Sequence, residues 1–485
     1  MVKTPDWVKN AIFYQIFPDR FAKGKATIKG QWQASKHEGW DATPTYQGYK
    51  GGNLWGVIDK LDYLEDLGIN AIYFTPIFQS ASNHRYHTHD YYQVDPMLGG
   101  NIAFEALIEA AKKRDIKVVL DGVFNHASRG FFFFNDILEN GPNSPWLDWF
   151  KVTDWPVSAY DGAKPANYEG WIGDRALPEF NHDNPQVREY IMQIAEYWLY
   201  KGIDGWRLDV PNEIDTPGFW QEFRDRVKAV NPEAYIVGEI WGDAGYWLDG
   251  KQFDGVMNYR FTEPTIAFAG GENYNPEYCQ HELRPYPPIS GNEYAIRIDD
   301  LLKLYDWEIQ LAQLNLLDSH DTPRMLTTVG EDKSSFILSS LLLMTFPGAP
   351  SIFYGDEVGL VGGKDPDCRR GFPEAEKWDV EILKIYKELI ALRHQYASLR
   401  TGSYKTLYAN ETIYILARIL EGEETIVAVN VGNSQSIVTF AVTELQSQPD
   451  NVVWGSGRLA WHSIPGDLKL EITIPARNGL IIGNN

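Results

Sequence analysis

A chain of 485 residues with 44% hydrophobic and 23% charged side chains has the composition of a globular protein that can bury a large core. Its net charge of −22 argues against a nucleic-acid binder, which needs a basic face. The opening MVKTPDWVKN lacks an apolar signal core, and no run of eighteen apolar residues occurs, so a cytoplasmic protein that does not enter a membrane is expected.

The elements alternate from the start. Ala11 to Phe17 reads as a strand, and Leu54, Val57, Ile58, Leu61, Leu64 and Leu67 carry helical spacing until Gly68 stops it. Asn70 to Ile77 is a second strand, Phe104 to Arg114 a helix, and Lys117 to Phe124 a third strand. From Asn125 to Asp174 the rhythm breaks into an aromatic, Gly- and Pro-punctuated stretch too long for an ordinary loop. Asn184-Pro185 then leads a helix to Lys201. Gly205 to Asp209 is a strand, Thr216-Pro217 starts a helix to Val230, and Ala234 to Ile240 is a strand. Gly255 to Tyr259, Leu314 to Ser319 and Ser351 to Asp356 supply three more strands. Helices are expected over Ile298 to Ala312, Lys333 to Phe346 and Val380 to Ala397.

Eight strands alternating with helices predict a closed α/β barrel, the (β/α)8 TIM barrel, over residues 1–124 and 175–400. An inserted domain would follow the third strand over 125–174. Short alternating strands with turns at Gly422 and Gly432-Asn433 predict a C-terminal antiparallel β-sandwich over 401–485.

Chemistry in such barrels sits at the carboxyl ends of the strands. Arg207 and Asp209 lie two apart on one face of the fourth strand, and alone they read more readily as a structural salt bridge than as chemistry. Asp121, Asn125 and His126 end the third strand, Glu239 and Trp241 the fifth, and Ser319, His320 and Asp321 the seventh. Three carboxylates from separate strands at one mouth are costly to bury unless paired or functional. Asp209 and Glu239 about 5 to 5.5 Å apart across a glycosidic bond would give retaining hydrolysis. Arg207 would keep Asp209 ionised as nucleophile, and the apolar run before Glu239 would raise its pKa for acid/base work. Asp321 would hydrogen-bond the sugar as the transition state forms. The 17 Trp and 27 Tyr suit core filling or stacking on a sugar. Cys279 and Cys368 lack metal-ligand spacing and suggest no disulfide framework.

Asp121 to His126 (DGVFNH), Gly205 to Glu213 (GWRLDVPNE), Gly238 to Trp241 (GEIW) and Leu317 to Asp321 (LDSHD) resemble the four signature regions of the α-amylase family. HRYHTHDYYQVDPMLG from His84, YGDEVGLVGGKDPDCRR from Tyr354 and Leu177 to Asn181 resemble its cyclomaltodextrinase, neopullulanase and maltogenic amylase group. The resemblance implies Asp209 as nucleophile, Glu239 as acid/base and Asp321 as transition-state stabiliser. It implies Tyr86 as the platform under the sugar being cleaved, with His126, Arg207 and His320 touching that sugar. Asp365 and Arg369 would grip the next sugar on the non-reducing side, and Trp241 would line the acceptor side. The expected activity is a retaining α-glucan hydrolase acting on α-1,4 or α-1,6 bonds of maltodextrins, cyclodextrins or branched oligosaccharides, with transglycosylation as a side reaction. The alternatives are a debranching enzyme that prefers α-1,6 bonds and an inactive glucan-binding module, which would be expected to lack one of the three carboxylates.

The group usually carries an N-terminal β domain that helps it dimerise; this chain reaches its first barrel strand by Ala11, implying a monomer or an unusual dimer with a more open cleft. Where the group often has Lys, Ala and His, this chain has Glu179, Pro211 and Gly242. The loop from Phe21 to Gly30 lacks the Asn/Asp-rich pattern of that group's calcium site, so no cofactor is required, although Asn125 leaves another family calcium site conceivable.

Overall fold

The computed structural model describes residues 2–24, 37–278, 280–281, 284–285, 287–464 and 467–484. Eight parallel strands form the centre: β1 (Phe13–Ile16), β2 (Ala71–Phe74), β3 (Lys117–Gly122), β4 (Gly205–Leu208), β5 (Tyr235–Gly238), β6 (Gly255–Val256), β7 (Leu314–Asn315) and β8 (Ala349–Phe353). They pair in the order β7-β8-β1-β2-β3-β4-β5-β6. A parallel bridge between Met257, next to β6, and Leu314 of β7 closes the ring.

Side-chain alternation then divides each strand. Phe13, Tyr73, Val119, Tyr235, Val237 and Leu314 fill the barrel interior. Tyr14, Ile72, Leu120, Trp206, Leu208 and Ile236 pack outward under the helices. By the same parity Gln15, Asp121 and Arg207 point inward, with Gln15 level with Tyr73 and Asp121 level with Arg207. The interior layer nearest the carboxyl ends is therefore polar, and it is fully buried.

Most helices stand where spacing and caps predict them. α5 (Pro185–Tyr200) starts with the Asn184 side chain accepting from Gln186 N–H at 2.8 Å. Three departures have physical causes. The helix expected over 54–67 is two, α1 (Leu54–Asp59) and α2 (Leu61–Leu67), because Lys60 leaves helical geometry at φ −102° and ψ 0° while the apolar stripe continues across the break. The helix expected over 298–312 starts earlier and stops sooner, as α8 (Gly291–Lys303). Ser290 caps its start, and Asp306 begins a separate turn, Trp307–Gln310. α7 (Tyr259–Gly270) was not expected at all: it is buried on nearly every side and contains Pro264, so it carries no amphipathic stripe.

α3 (Gly100–Lys112), α6 (Phe219–Val230), α9 (Lys333–Thr345) and α10 (Val380–Gln395) complete the outer ring. A hairpin that the sequence reading had not assigned, Phe78–Ser80 with Thr88–Val94, supports the loop carrying Tyr86. In the excursion after β3, α4 (Phe132–Asn140) is joined by bridges Val152 to Tyr168 and Phe150 to Phe180 around a buried aromatic cluster. A further bridge ties His126 to Glu179 across its base.

The C-terminal unit has strands β9 (Ser403–Ala409), β10 (Ile413–Leu420), β11 (Glu423–Asn430), β12 (Ser436–Ala441), β13 (Asn451–Gly455), β14 (Arg458–Ile464), β15 (Asp467–Ile474) and β16 (Asn478–Gly483). A five-stranded antiparallel sheet, β9-β10-β11-β16-β13, faces a three-stranded one, β12-β15-β14, over an Ile- and Val-rich core. Buried Arg418 of β10 joins it to the barrel by donating to the carbonyl of Thr345 at the end of α9, where buried Arg393 of α10 donates to those of Met344 and Phe346. Cations placed there also meet the negative end of the helix dipole. Among the described residues no helix is long and apolar enough to cross a membrane.

Candidate active site

At the carboxyl end of the barrel lies a cavity of about 670 Å³. Asp209, Glu239 and Asp321 all line it, delivered from the ends of β4, β5 and β7. Tyr86, His126, Trp241, Asp365 and Arg369 line it too, while His320 and Arg207 lie buried behind the wall. All ten residues picked from the sequence thus converge on one site.

Arg207 is its hub. Its Nη1 lies 2.9 Å from Asp121 Oδ1 and 2.9 Å from Asp209 Oδ1, and its Nη2 lies 2.8 Å from Glu239 Oε2. The sequence reading paired this arginine with Asp209 alone; the structure shares it among three buried carboxyls. One guanidinium cannot neutralise three carboxylates, and burial disfavours every uncompensated charge. Burial pushes Asp121 up to about 6 and pushes Asp209 well above the usual carboxylate range, against the pull of Arg207. Glu239 is raised by burial as well, Arg207 again opposing. The three carboxyls share one guanidinium and therefore titrate together, the charge on each making the others harder to ionise.

The remaining side chains have defined hydrogen-bond roles. Tyr86 O–H donates to Asp121 Oδ2 at 2.9 Å and lies 2.6 Å from His320 Nε2, with its ring parallel to the imidazole. Gln15 lies 2.7 Å from His320 Nδ1. Burial holds His320 neutral, so Gln15 donates to Nδ1 and the ring proton sits on Nε2, 3.0 Å from Asp321 Oδ2. Arg369 reaches Asp321 Oδ1 at 3.3 Å and Asp365 Oδ1 at 2.9 Å. Trp241 Nε1 donates to Glu239 Oε1 at 3.2 Å, and its indole stacks on Tyr259 with ring centroids 3.7 Å apart. Burial lowers the His126 pKa to about 3, and its Nε2 has no hydrogen-bond partner among the described residues. That leaves a buried polar nitrogen at the cavity free to bond a ligand or water.

Trp171 was missed from the sequence: it lies in the aperiodic insertion, yet it lines the cavity and its ring stands 5.5 Å from His126. Gln15, and Tyr73, whose O–H donates to Asp121 Oδ2 at 3.4 Å, were missed for another reason, since strand residues facing a barrel interior look like any others until the strands close. Backbone strain marks the same places. Of six left-handed non-glycine residues among those described, Arg85, Ile172 and Val210 adjoin Tyr86, Trp171 and Asp209. Val210, at φ 36°, is β-branched and strained there, and its N–H donates to Glu239 Oε2 at 3.3 Å.

Among the described residues no three His, Cys, Asp or Glu side chains are grouped to hold a metal ion. Residues 25–30 of the loop from Phe21 to Gly30 lie outside the described residues.

Carboxyls converging on one cavity at a barrel mouth, two of them bridged by an arginine, are the working parts of a glycoside hydrolase. Comparison with known proteins narrows this class. Residues 15–374 match the α-amylase catalytic domain and residues 402–482 the α-amylase C-terminal domain, so the chain belongs to the α-amylase family. It is 41% identical to neopullulanase 2 of Thermoactinomyces vulgaris, over 99% of this chain and 79% of that one. The crystal structure of a debranching enzyme from Nostoc punctiforme superposes with a TM-score of 0.94 at 63% identity, covering 100% of both chains. A cyclic α-maltosyl-(1→6)-maltose hydrolase from Arthrobacter globiformis superposes at 0.86 with 33% identity, again over both whole chains.

Proposed function

We propose that this glycoside hydrolase is a retaining α-glucan hydrolase that cleaves α-1,6 bonds at branch points as well as α-1,4 bonds of maltodextrins. The observation that carries it is the Arg207 fork, which holds Asp209 and Glu239 on one guanidinium at a cavity that Asp321 also lines. Asp209 in its ionised form attacks the anomeric carbon. Glu239 gives its proton to the leaving oxygen, and the bond to the acceptor sugar breaks. The ionised Glu239 then takes a proton from water, whose oxygen displaces Asp209 from the anomeric carbon and restores the α configuration. Asp321, His126, His320 and Tyr86 hold the sugar in the reacting position, Asp365 and Arg369 the next sugar toward the non-reducing end, and Trp241 the acceptor. These steps use only side chains and water and call for no cofactor. Transglycosylation follows when a sugar hydroxyl replaces that water.

The α-1,6 activity is supported by the similarity to the debranching enzyme of Nostoc punctiforme, and the compound hydrolysed by the Arthrobacter globiformis relative itself contains a (1→6) linkage. We place the protein in the cytoplasm, as a monomer or a dimer unlike the usual one of its group. Asp209→Asn or Glu239→Gln is expected to lower turnover at least 10³-fold with an unchanged melting temperature. Near-normal turnover in both variants sinks the assignment.

A further inference from the structure

Trp241 borders two large chambers. One is the main cavity; the other, of about 520 Å³, lies beyond the indole between α7 and α8. Among the described residues the second chamber is walled by Arg260, Glu263, Arg297 and Asp300, with Leu301 and Leu304 as apolar patches. Gly242, next to Trp241, lines the second chamber. Its backbone is not left-handed, and a Cβ built on it meets nothing within 4 Å. Neither backbone conformation nor crowding requires glycine there. A side chain there would extend into open space beside the indole.

The lining indicates what could occupy it. Arg297 is already paired with Glu293 at 2.6 Å and Glu263 at 3.5 Å, so the wall offers mixed charge and no net field for an ion. Charged hydrogen-bonding groups beside small apolar patches match a neutral ring with hydroxyls at its edge and an apolar face. Substrate geometry then gives the chamber a purpose. In a linear α-1,4 glucan the acceptor sugar continues in one direction only. At an α-1,6 branch point it lies within a chain that continues from both its O1 and its O4, so the acceptor side needs two exits.

We infer that the chamber beyond Gly242 takes the second arm of the main chain at an α-1,6 branch point, making Gly242, Arg260 and Asp300 determinants of branched-substrate specificity. The inference rests on the linkage reading above. The test compares kcat/KM for α-1,6 cleavage on two oligosaccharides. One carries a maltosyl group on the non-reducing glucose of maltose, giving the acceptor one arm; the other carries it on the middle glucose of maltotriose, giving two. Gly242→Phe should lower the two-arm to one-arm ratio about tenfold, a change of about 1.4 kcal/mol, with the one-arm rate within about twofold of wild type. Gly242→Ala should leave the ratio unchanged. The Arg260→Ala/Asp300→Ala double variant, which alters only exposed side chains, should lower it about threefold and decides the matter if Gly242→Phe does not fold. An unchanged ratio, or an equal loss on both substrates, overturns the inference while leaving α-1,6 hydrolysis intact. Wild-type enzyme that cleaves linear maltohexaose but neither branched compound overturns the linkage reading instead.

Discussion

Asp121→Asn tests whether the carboxyls around Arg207 titrate as one unit. Asp121 and Asp209 share the same guanidinium nitrogen, each at 2.9 Å, which puts their oxygens within about 6 Å of each other. Two full charges at that distance repel by about 3 kcal/mol at an effective dielectric constant of 20, or roughly two pKa units. Asp121 is pushed up to about 6, so it is only partly charged in the working range, and Arg207 absorbs part of the field. A net shift of about 0.5 to 1 unit is expected. The sign follows from charge: removing a negative neighbour makes Asp209 and Glu239 easier to ionise. The acid limb of kcat/KM, which reports loss of the Asp209 proton, should move to lower pH, and the basic limb should follow by less. Asparagine keeps an oxygen to accept from Tyr86, so the platform stays in place. The assay is the pH profile of hydrolysis of a chromogenic maltoside, with wild type in the same buffers. An active variant whose acid limb stays within about 0.2 unit, or moves to higher pH, refutes the coupled-titration account.

Two other expectations concern groups outside the carboxyl cluster. Glu357 is buried, accepts from Tyr14 at 2.8 Å and Tyr63 at 2.7 Å, and is pushed up to about 7 by desolvation. The folded state therefore holds a proton that the unfolded chain releases near 4.5. That contribution is fully present below 4.5 and is lost as pH rises to about 7, by up to about 3 kcal/mol. Glu357→Gln should flatten the pH dependence of denaturant stability across this window, and an unchanged slope contradicts the assignment. Trp171→Ala should raise KM for maltodextrin about tenfold with kcat changed less than threefold, because it removes a ring from the cavity wall without touching the carboxyls; an unchanged KM would exclude Trp171 from substrate contact.

Local pattern made much of this legible in advance. The strand-helix alternation, the Asn184-Pro185 start of α5 and the terminal β unit all follow from spacing and turn chemistry, which act over a few residues. Asp209, Glu239 and Asp321 were legible because each ends a strand, and strand ends of a barrel share one mouth. Alternation even put Arg207 and Asp209 on one face. Other features could not be read this way. α7 is wrapped by the rest of the protein and so carries no stripe, and Trp171 reaches the cavity only because the insertion folds back over His126. The sharing of Arg207 is the clearest case. The sequence places Arg207 two residues from Asp209, but Asp121 is 86 positions away and Glu239 is 32. Only closure of the barrel brings both within 3 Å of the same guanidinium. Residue type settled which groups could do the chemistry. Where the protons rest depends on burial and on distances between strands, and those exist only in the folded chain.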